Sequence, residues 1–188
     1  MKIGVLALQG AVREHIKHIE RLGVTGKIIK WPHELGEVAG LIIPGGESTA
    51  IGKLMVEYGF IDAIRDFHAK GKPIYGTCAG MILLAKKITE GDQPLLSLMD
   101  IEARRNAFGR QRESFEADLD IKGIGPFKAV FIRAPWIESI GDGVDVLAEF
   151  DNIKVMARQG SLLASAFHPE LTGDLRVHKY FLEMVKEA

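Results

Sequence analysis

The sequence predicts an α/β protein: a single three-layer α/β/α domain over residues 1–188, with a mostly parallel central sheet to which antiparallel strands are added. Three observations carry this. Through the first half, short continuously apolar runs alternate with amphipathic helical patterns, as in a parallel sheet covered on both faces. The second half changes to period-two alternation with closely spaced turn signals, as antiparallel strands do. The length of 188 residues and the composition, 47% hydrophobic and 26% charged, suit one soluble globular domain. A chain of this size buries roughly 70% of its unfolded surface in one core.

Taken in order, Ile3–Leu8 (IGVLAL) reads as the first strand. The run is too short to span a membrane and is soon followed by Gln9 and Arg13, so it does not read as a signal peptide. Val12, Ile16 and Ile19 then recur at helical spacing. Further strands are expected at Lys27–Trp31, Gly40–Ile43 and Lys72–Tyr75, with helices near 48–58, 60–70 and 79–88. The last of these is apolar nearly all round (Met81, Ile82, Leu83, Leu84, Ala85, Ile88), which predicts a central, buried helix. Ser114–Ile121 alternates strictly, with Phe115, Ala117, Leu119 and Ile121 on one face and acidic residues on the other. Four more strand patterns follow, FKAVFIRA, DVLAEF, IKVMA and LLASAF, separated by turn signals such as Gly141-Asp142-Gly143 and Asp151-Asn152. These strands are expected to extend the sheet. A final helix presents Val177, Tyr180, Phe181, Met184 and Val185.

Charge and cysteine usage narrow the function. The 24 basic residues are offset by 25 acidic ones and form no long run, which argues against a nucleic-acid or anionic-membrane partner. One cysteine cannot form an internal disulfide, which suits a reducing, cytoplasmic setting.

That cysteine, Cys78, lies in Gly76-Thr77-Cys78-Ala79-Gly80, where a strand must turn into a helix. This is the context of a nucleophile elbow, with sulfur in place of the hydroxyl. The glycines permit a tight, strained turn that projects the nucleophile from the carboxyl edge of the sheet, and the helix N-terminus favours thiolate over thiol. The alternative is a buried core cysteine in a glycine turn; symmetric glycines at a strand–helix junction favour the elbow.

A thiolate nucleophile needs a base that can return a proton to the leaving group, and histidine suits that task. Of the six histidines, His15, His18, His33, His68 and His178 read as solvated surface positions. His168 closes an apolar strand at the expected carboxyl edge, and Pro169 biases it towards extended backbone. Side chains 168 and 170 then fall on one side, where Glu170 can fix the imidazole tautomer. A Pro-started helical turn with Glu170 near its dipole fits the same residues equally. In Ile42–Ala50 (IIPGGESTA), a tight turn with Ser48 as N-cap and a phosphate cradle are both physically possible. A P-loop is poorly supported, because no Gly-Lys-Ser/Thr follows. Backbone N–H groups near Gly46, with that of Ala79, suit an oxyanion hole.

Together LQGAVREH, PGGEST, GTCAG, RNAFGRQ, FIRAP and FHPEL, in this order from Leu8 to Leu171, resemble the glutaminase subunits of pyridoxal phosphate synthase, within the class I (triad) glutamine amidotransferases. Ala107 departs from the serine common at that position in relatives. The resemblance implies a flavodoxin-like fold and hydrolysis of L-glutamine to L-glutamate and ammonia. It implies Cys78 as the nucleophile that forms a glutamyl thioester, His168 as acid and base, and Glu170 as its orienting carboxylate. It further implies glutamine contacts at Gly46, Glu47, Ser48, Arg105, Ile132 and Arg133, no metal or organic cofactor, and a partner that receives the ammonia, the synthase subunit. Part of the partner contact is expected at Gln9–His15. The rival readings are a γ-glutamyl hydrolase or cysteine peptidase-like enzyme, and a redox-sensing domain whose Cys78 is oxidised instead of acylated.

Overall fold

The computed structural model describes the backbone of residues 1–188 and every side chain except that of Gln111. The chain begins β1 (Lys2–Leu6), α1 (Val12–Arg21), β2 (Thr25–Ile29), β3 (Gly40–Ile43), α2 (Ser48–Glu57), α3 (Phe60–Ala69), β4 (Ile74–Thr77), α4 (Ala79–Leu84), β5 (Ala85–Ile88) and β6 (Met99–Arg104). It continues with β7 (Ser114–Ile121), β8 (Gly125–Ile132), β9 (Trp136–Ile140), β10 (Asp145–Phe150), β11 (Ile153–Gln159), β12 (Leu162–Ser165) and α5 (Arg176–Glu187). A 3-10 turn at Pro169–Leu171 follows β12.

Ten strands form the main sheet in the order β2-β1-β3-β4-β12-β11-β9-β6-β5, with β10 paired to β11. From β2 to β12 neighbouring strands are parallel. The β12-β11-β9-β6 stretch is antiparallel. Strands β3, β4 and β12 are buried along their whole length, which is why they read as mainly apolar runs without alternation. From β1 the chain first adds β2 on one side and then β3 on the other, so a crevice opens between β1 and β3 at their carboxyl ends, the usual ligand position in such sheets. The crevice is tight: a Cβ on Gly10 would run into the carbonyl oxygen of Gly45.

Two expectations are corrected. The helix expected over 79–88 ends at Leu84, where Ala85 turns extended (φ −60°, ψ 147°). The amides of Leu96 and Leu98 take the Leu83 and Leu84 carbonyls at 2.7 and 3.0 Å, so returning chain satisfies the helix end and 85–88 becomes a strand. An apolar run carries no period that separates these two outcomes. Strands β7 and β8 pair only with each other, in a separate two-stranded sheet, instead of extending the main one. Their apolar face packs flat: Phe115 stacks on Phe131 with ring centroids 4.8 Å apart, and Phe131 meets Phe167 at 5.7 Å. Among the described residues, no helix is long and apolar enough to cross a membrane.

Candidate active site

Strand β4 delivers Cys78 at the centre of the sheet's carboxyl edge. Its backbone has φ 51° and ψ −106°, a conformation that residues bearing a Cβ rarely adopt. Two hydrogen bonds and the end of a strand pairing hold it there. The Cys78 amide donates to the Ser165 carbonyl at 2.8 Å, its carbonyl accepts from Ile82 N–H at 3.2 Å, and β4 is zipped to β12 through Thr77–Ser165. The flanking glycines are steric requirements: a Cβ on Gly76 would strike the Gly80 carbonyl, and one on Gly80 the Ile43 carbonyl. The elbow expected from the spacing is present.

The same pairing explains how Cys78 meets His168. Parallel β4 and β12 end in register, so the residues just beyond both strands emerge at one rim. His168 is anchored by its amide, which donates to the Val130 carbonyl at 2.8 Å. Its φ of −108° and ψ of 86° are those of a residue held out of the α region by Pro169. The 3-10 turn that Pro169 starts brings Glu170 back, and His168 Nδ1–H donates to Glu170 Oε1 at 2.7 Å. The tautomer-fixing pair and the Pro-started turn therefore hold at once. Burial pushes the His168 imidazolium down, but its hydrogen bonds to Cys78 and Glu170, and the charges of both, outweigh it and raise the pKa from 6.5 to about 10. Gly45 leaves room for the ring: a Cβ there would lie 2.5 Å from His168 Cε1 and 3.4 Å from Cys78 Cβ. Cys78 Sγ lies 4.0 Å from the Ile132 carbonyl oxygen.

A cleft of about 440 Å3 opens over the sulfur. It is lined by Cys78, Ala79 and His168, and by all six residues expected to contact substrate: Gly46, Glu47, Ser48, Arg105, Ile132 and Arg133. The N-cap of α2 is Glu47, not Ser48. The Glu47 carboxylate accepts from Thr49 N–H at 3.1 Å and Ala50 N–H at 2.7 Å, because two oxygens reach two orphan amides. Ser48 Oγ instead donates to Gln93 Oε1 at 3.0 Å. Arg105 Nη1 donates to the same Gln93 oxygen and to Thr49 Oγ1, each at 3.1 Å. Gln93 thus organises the cleft wall; it sits in a turn (EGDQP) whose sequence carries no period or motif that marks it.

Three histidines depart from the surface positions expected of them. His15, His18 and His178 are buried, at 0, 4 and 1% exposure. Helix α1 turns His15, His18 and Ile19 inward, rotated from the Val12-Ile16-Ile19 stripe that hydropathy alone selects. Polar pairing permits this: His15 Nδ1 lies 2.8 Å from His178 Nε2, and His18 Nδ1 lies 3.1 Å from His178 Nδ1. Burial first, then the neighbouring rings, hold His15 well below 6.5, and burial with His18 pushes His178 down to about 3. The Gln9–His15 stretch is consequently divided. Gln9 and Arg13 are exposed, whereas His15 is not. Gln9 Oε1 accepts the Glu47 amide at 2.7 Å.

This arrangement has the parts that acyl transfer needs: a cysteine on a strained turn, an imidazole at the same cleft hydrogen-bonded to a carboxylate, and a small polar cleft. The chain is 61% identical to the "Pyridoxal 5'-phosphate synthase subunit PdxT" of Niallia circulans, with 100% of both chains covered. It is 58% identical to the protein of the same name from Geobacillus kaustophilus (strain HTA426), covering 100% of this chain and 96% of that one. A crystal structure of a glutamine amidotransferase superposes with a TM-score of 0.95 at 50% identity, covering 98% of each chain. The structure of PurLQS from Thermotoga maritima shares the fold at 15% identity and a TM-score of 0.69, covering 97% of each chain. The profile of the SNO glutamine amidotransferase family matches residues 5–187, and the chain belongs to that family.

Proposed function

We propose that residues 1–188 act as one cytoplasmic glutaminase unit that hydrolyses L-glutamine to L-glutamate and ammonia, and that supplies the ammonia to the synthase subunit of pyridoxal 5'-phosphate synthase. The observation that carries this reading is the convergence of Cys78 and His168 on one cleft, both within reach of the space at Gly45, with Glu170 behind the imidazole at 2.7 Å. Cys78 Sγ attacks the side-chain amide carbon, forming a C–S bond and a tetrahedral oxyanion that the amides of Gly46 and Ala79 stabilise. His168 gives its proton to the departing nitrogen as the C–N bond breaks, leaving a glutamyl thioester and ammonia. The now neutral ring takes a proton from water, hydroxide adds to the thioester, and collapse releases glutamate and the sulfur. Glu170 keeps the ring's Nδ1 protonated throughout, so that Nε2 is the atom that moves protons. Arg105 and Arg133 bring positive charge for the substrate carboxylate, while Gly46, Glu47, Ser48 and Ile132 shape the cleft. No metal or organic cofactor enters this route.

Ammonia released to water at neutral pH is protonated and lost as a nucleophile, so the reading includes docking of the synthase subunit on the sheet edge near Gln9 and Arg13. The experiment is reconstitution: glutamate release from L-glutamine, measured with and without the synthase subunit, together with labelling of Cys78 by a glutamine-mimicking diazoketone. Glutamate release that rises on adding the synthase subunit, and labelling that glutamine blocks, are expected. Cleavage of polyglutamate or peptide with no glutaminase activity would move the chain to another hydrolase class. Oxidation of Cys78 without glutamine-protectable labelling would make it a sensor.

A further inference from the structure

Glu170 spends one carboxylate oxygen on His168. The other, Oε2, is buried and has no hydrogen-bond partner among the described residues. A buried carboxylate oxygen is destabilising unless a donor faces it. His15 Nε2 lies 3.6 Å away, and both side chains are fully shielded from solvent. That distance is an ion-pair contact and longer than a hydrogen bond; such contacts in ligand-free sites commonly tighten when substrate binds. The same nitrogen is 3.3 Å from Oγ1 of Thr77, the residue before Cys78.

The rest of the His15 ring is fixed from behind. Its Nδ1 meets His178 Nε2 at 2.8 Å, and His178 Nδ1 meets His18 Nδ1 at 3.1 Å. With neutral rings, each imidazole has one N–H and one bare nitrogen. One order gives Glu170 a donor: His18 Nδ1–H to His178 Nδ1, His178 Nε2–H to His15 Nδ1, and His15 Nε2–H to Glu170 Oε2. The opposite order turns a lone pair of His15 towards the carboxylate oxygen. The groups facing these rings are Glu170, Asp174, His168 and the Thr172 backbone from the segment after β12, Tyr75 from β4, whose ring meets that of His178 edge-on, and Arg21 from α1 itself. The rings aim their nitrogens at one another at hydrogen-bond distance, which leaves no space for a cation between them.

We propose that His15 is a positioning residue for the glutaminase reaction: it holds Glu170, and through it the His168 ring, with the tautomer that Glu170 Oε2 requires relayed through His178 and His18. This rests on the glutaminase reading of the site. In the complex with the synthase subunit, His15→Leu removes the donor while keeping side-chain bulk. Its kcat for L-glutamine is expected to fall about 10- to 100-fold, with KM within about twofold of wild type. His15→Gln, whose amide nitrogen reaches the same position, recovers most of the loss. Wild-type kcat in His15→Leu, or a loss that glutamine does not rescue, overturns the proposal. Should His15→Leu fail to fold, ring 15N shifts of the wild-type chain decide: a protonated Nε2 and bare Nδ1 on His15 support it, and the reverse overturns it. These shifts do not depend on activity. A wild-type complex that releases no glutamate defeats the glutaminase reading instead.

Discussion

Cys78 is held with φ 51°, where a residue with a Cβ is strained by about 1–3 kcal/mol. Such strain persists only where its surroundings enforce it. Here the Ser165 carbonyl takes its amide and the glycines on either side let two strands and a helix close around it. The strain belongs to the backbone, so removing the sulfur leaves it unchanged. Cys78→Ala is therefore expected to abolish glutamate release while its unfolding free energy stays within about 1 kcal/mol of wild type; residual turnover in that variant would remove the nucleophile assignment. His168→Asn keeps a polar group against Glu170 but has no group that accepts and returns a proton near neutral pH. Steady-state turnover should drop by a factor of about 10² to 10⁴, with thioester formation blocked or its breakdown stalled. Unchanged turnover would exclude His168 as the acid and base.

Between residues and fold, the elbow is an element whose parts are interchangeable in chemistry but not in volume. A methyl group on Gly80 must displace the Ile43 carbonyl of β3, backbone that has nowhere to go inside a buried parallel sheet. Gly80→Ala should cost about 1–3 kcal/mol and lower activity further by tilting α4 away from the rim. Gly36→Ala, where an added Cβ meets open space, is the matched control and should change stability by less than about 1 kcal/mol. Equal stabilities for the two variants in denaturant titrations would refute this steric account. The elbow was legible in sequence because glycine spacing records a steric demand, and β3 and the body of β1 after Lys2 were legible because double-sided burial leaves only apolar residues there. The end of α4 was not, since Leu83 and Leu84 are capped by residues more than ten positions away. The pairing of β7 with β8 alone was equally hidden, because alternation reports that one face is covered and not by what.

For the whole molecule, the legible and hidden parts of the site divide along the same line. Cys78, His168 and Glu170 sit within motifs, whereas His15, His18 and His178 lie on two helices far apart in sequence and acquire their setting only when α1 and α5 pack together. Their burial links the stability of the entire fold to pH. His15 and His178 have folded pKa values below the ordinary 6.5, that of His178 at about 3, so each is buried neutral and must be charged on unfolding in acid. For a depressed pKa the stabilising contribution is complete above the unfolded value and drains away as pH falls towards the folded one. His168 has the opposite sign: raised to about 10, it contributes fully below 6.5 and loses that contribution as pH rises through 10. The histidines alone thus put a maximum of stability near pH 6.5, with two limbs of different origin. Below it, each histidine that takes up a proton only on unfolding removes about 1.4 kcal/mol per pH unit, before most carboxylates begin to titrate near pH 4.5. Urea titrations from pH 6.5 to 5 should show this acid limb in the wild type. His178→Phe, which fills the space between α1 and α5 without a titrating group, should make it shallower by about 1.4 kcal/mol per pH unit while His15 keeps its share, even if its stability at pH 7 is lower. A wild-type unfolding free energy that does not change over this range would mean that His15 and His178 are not held neutral in the folded protein.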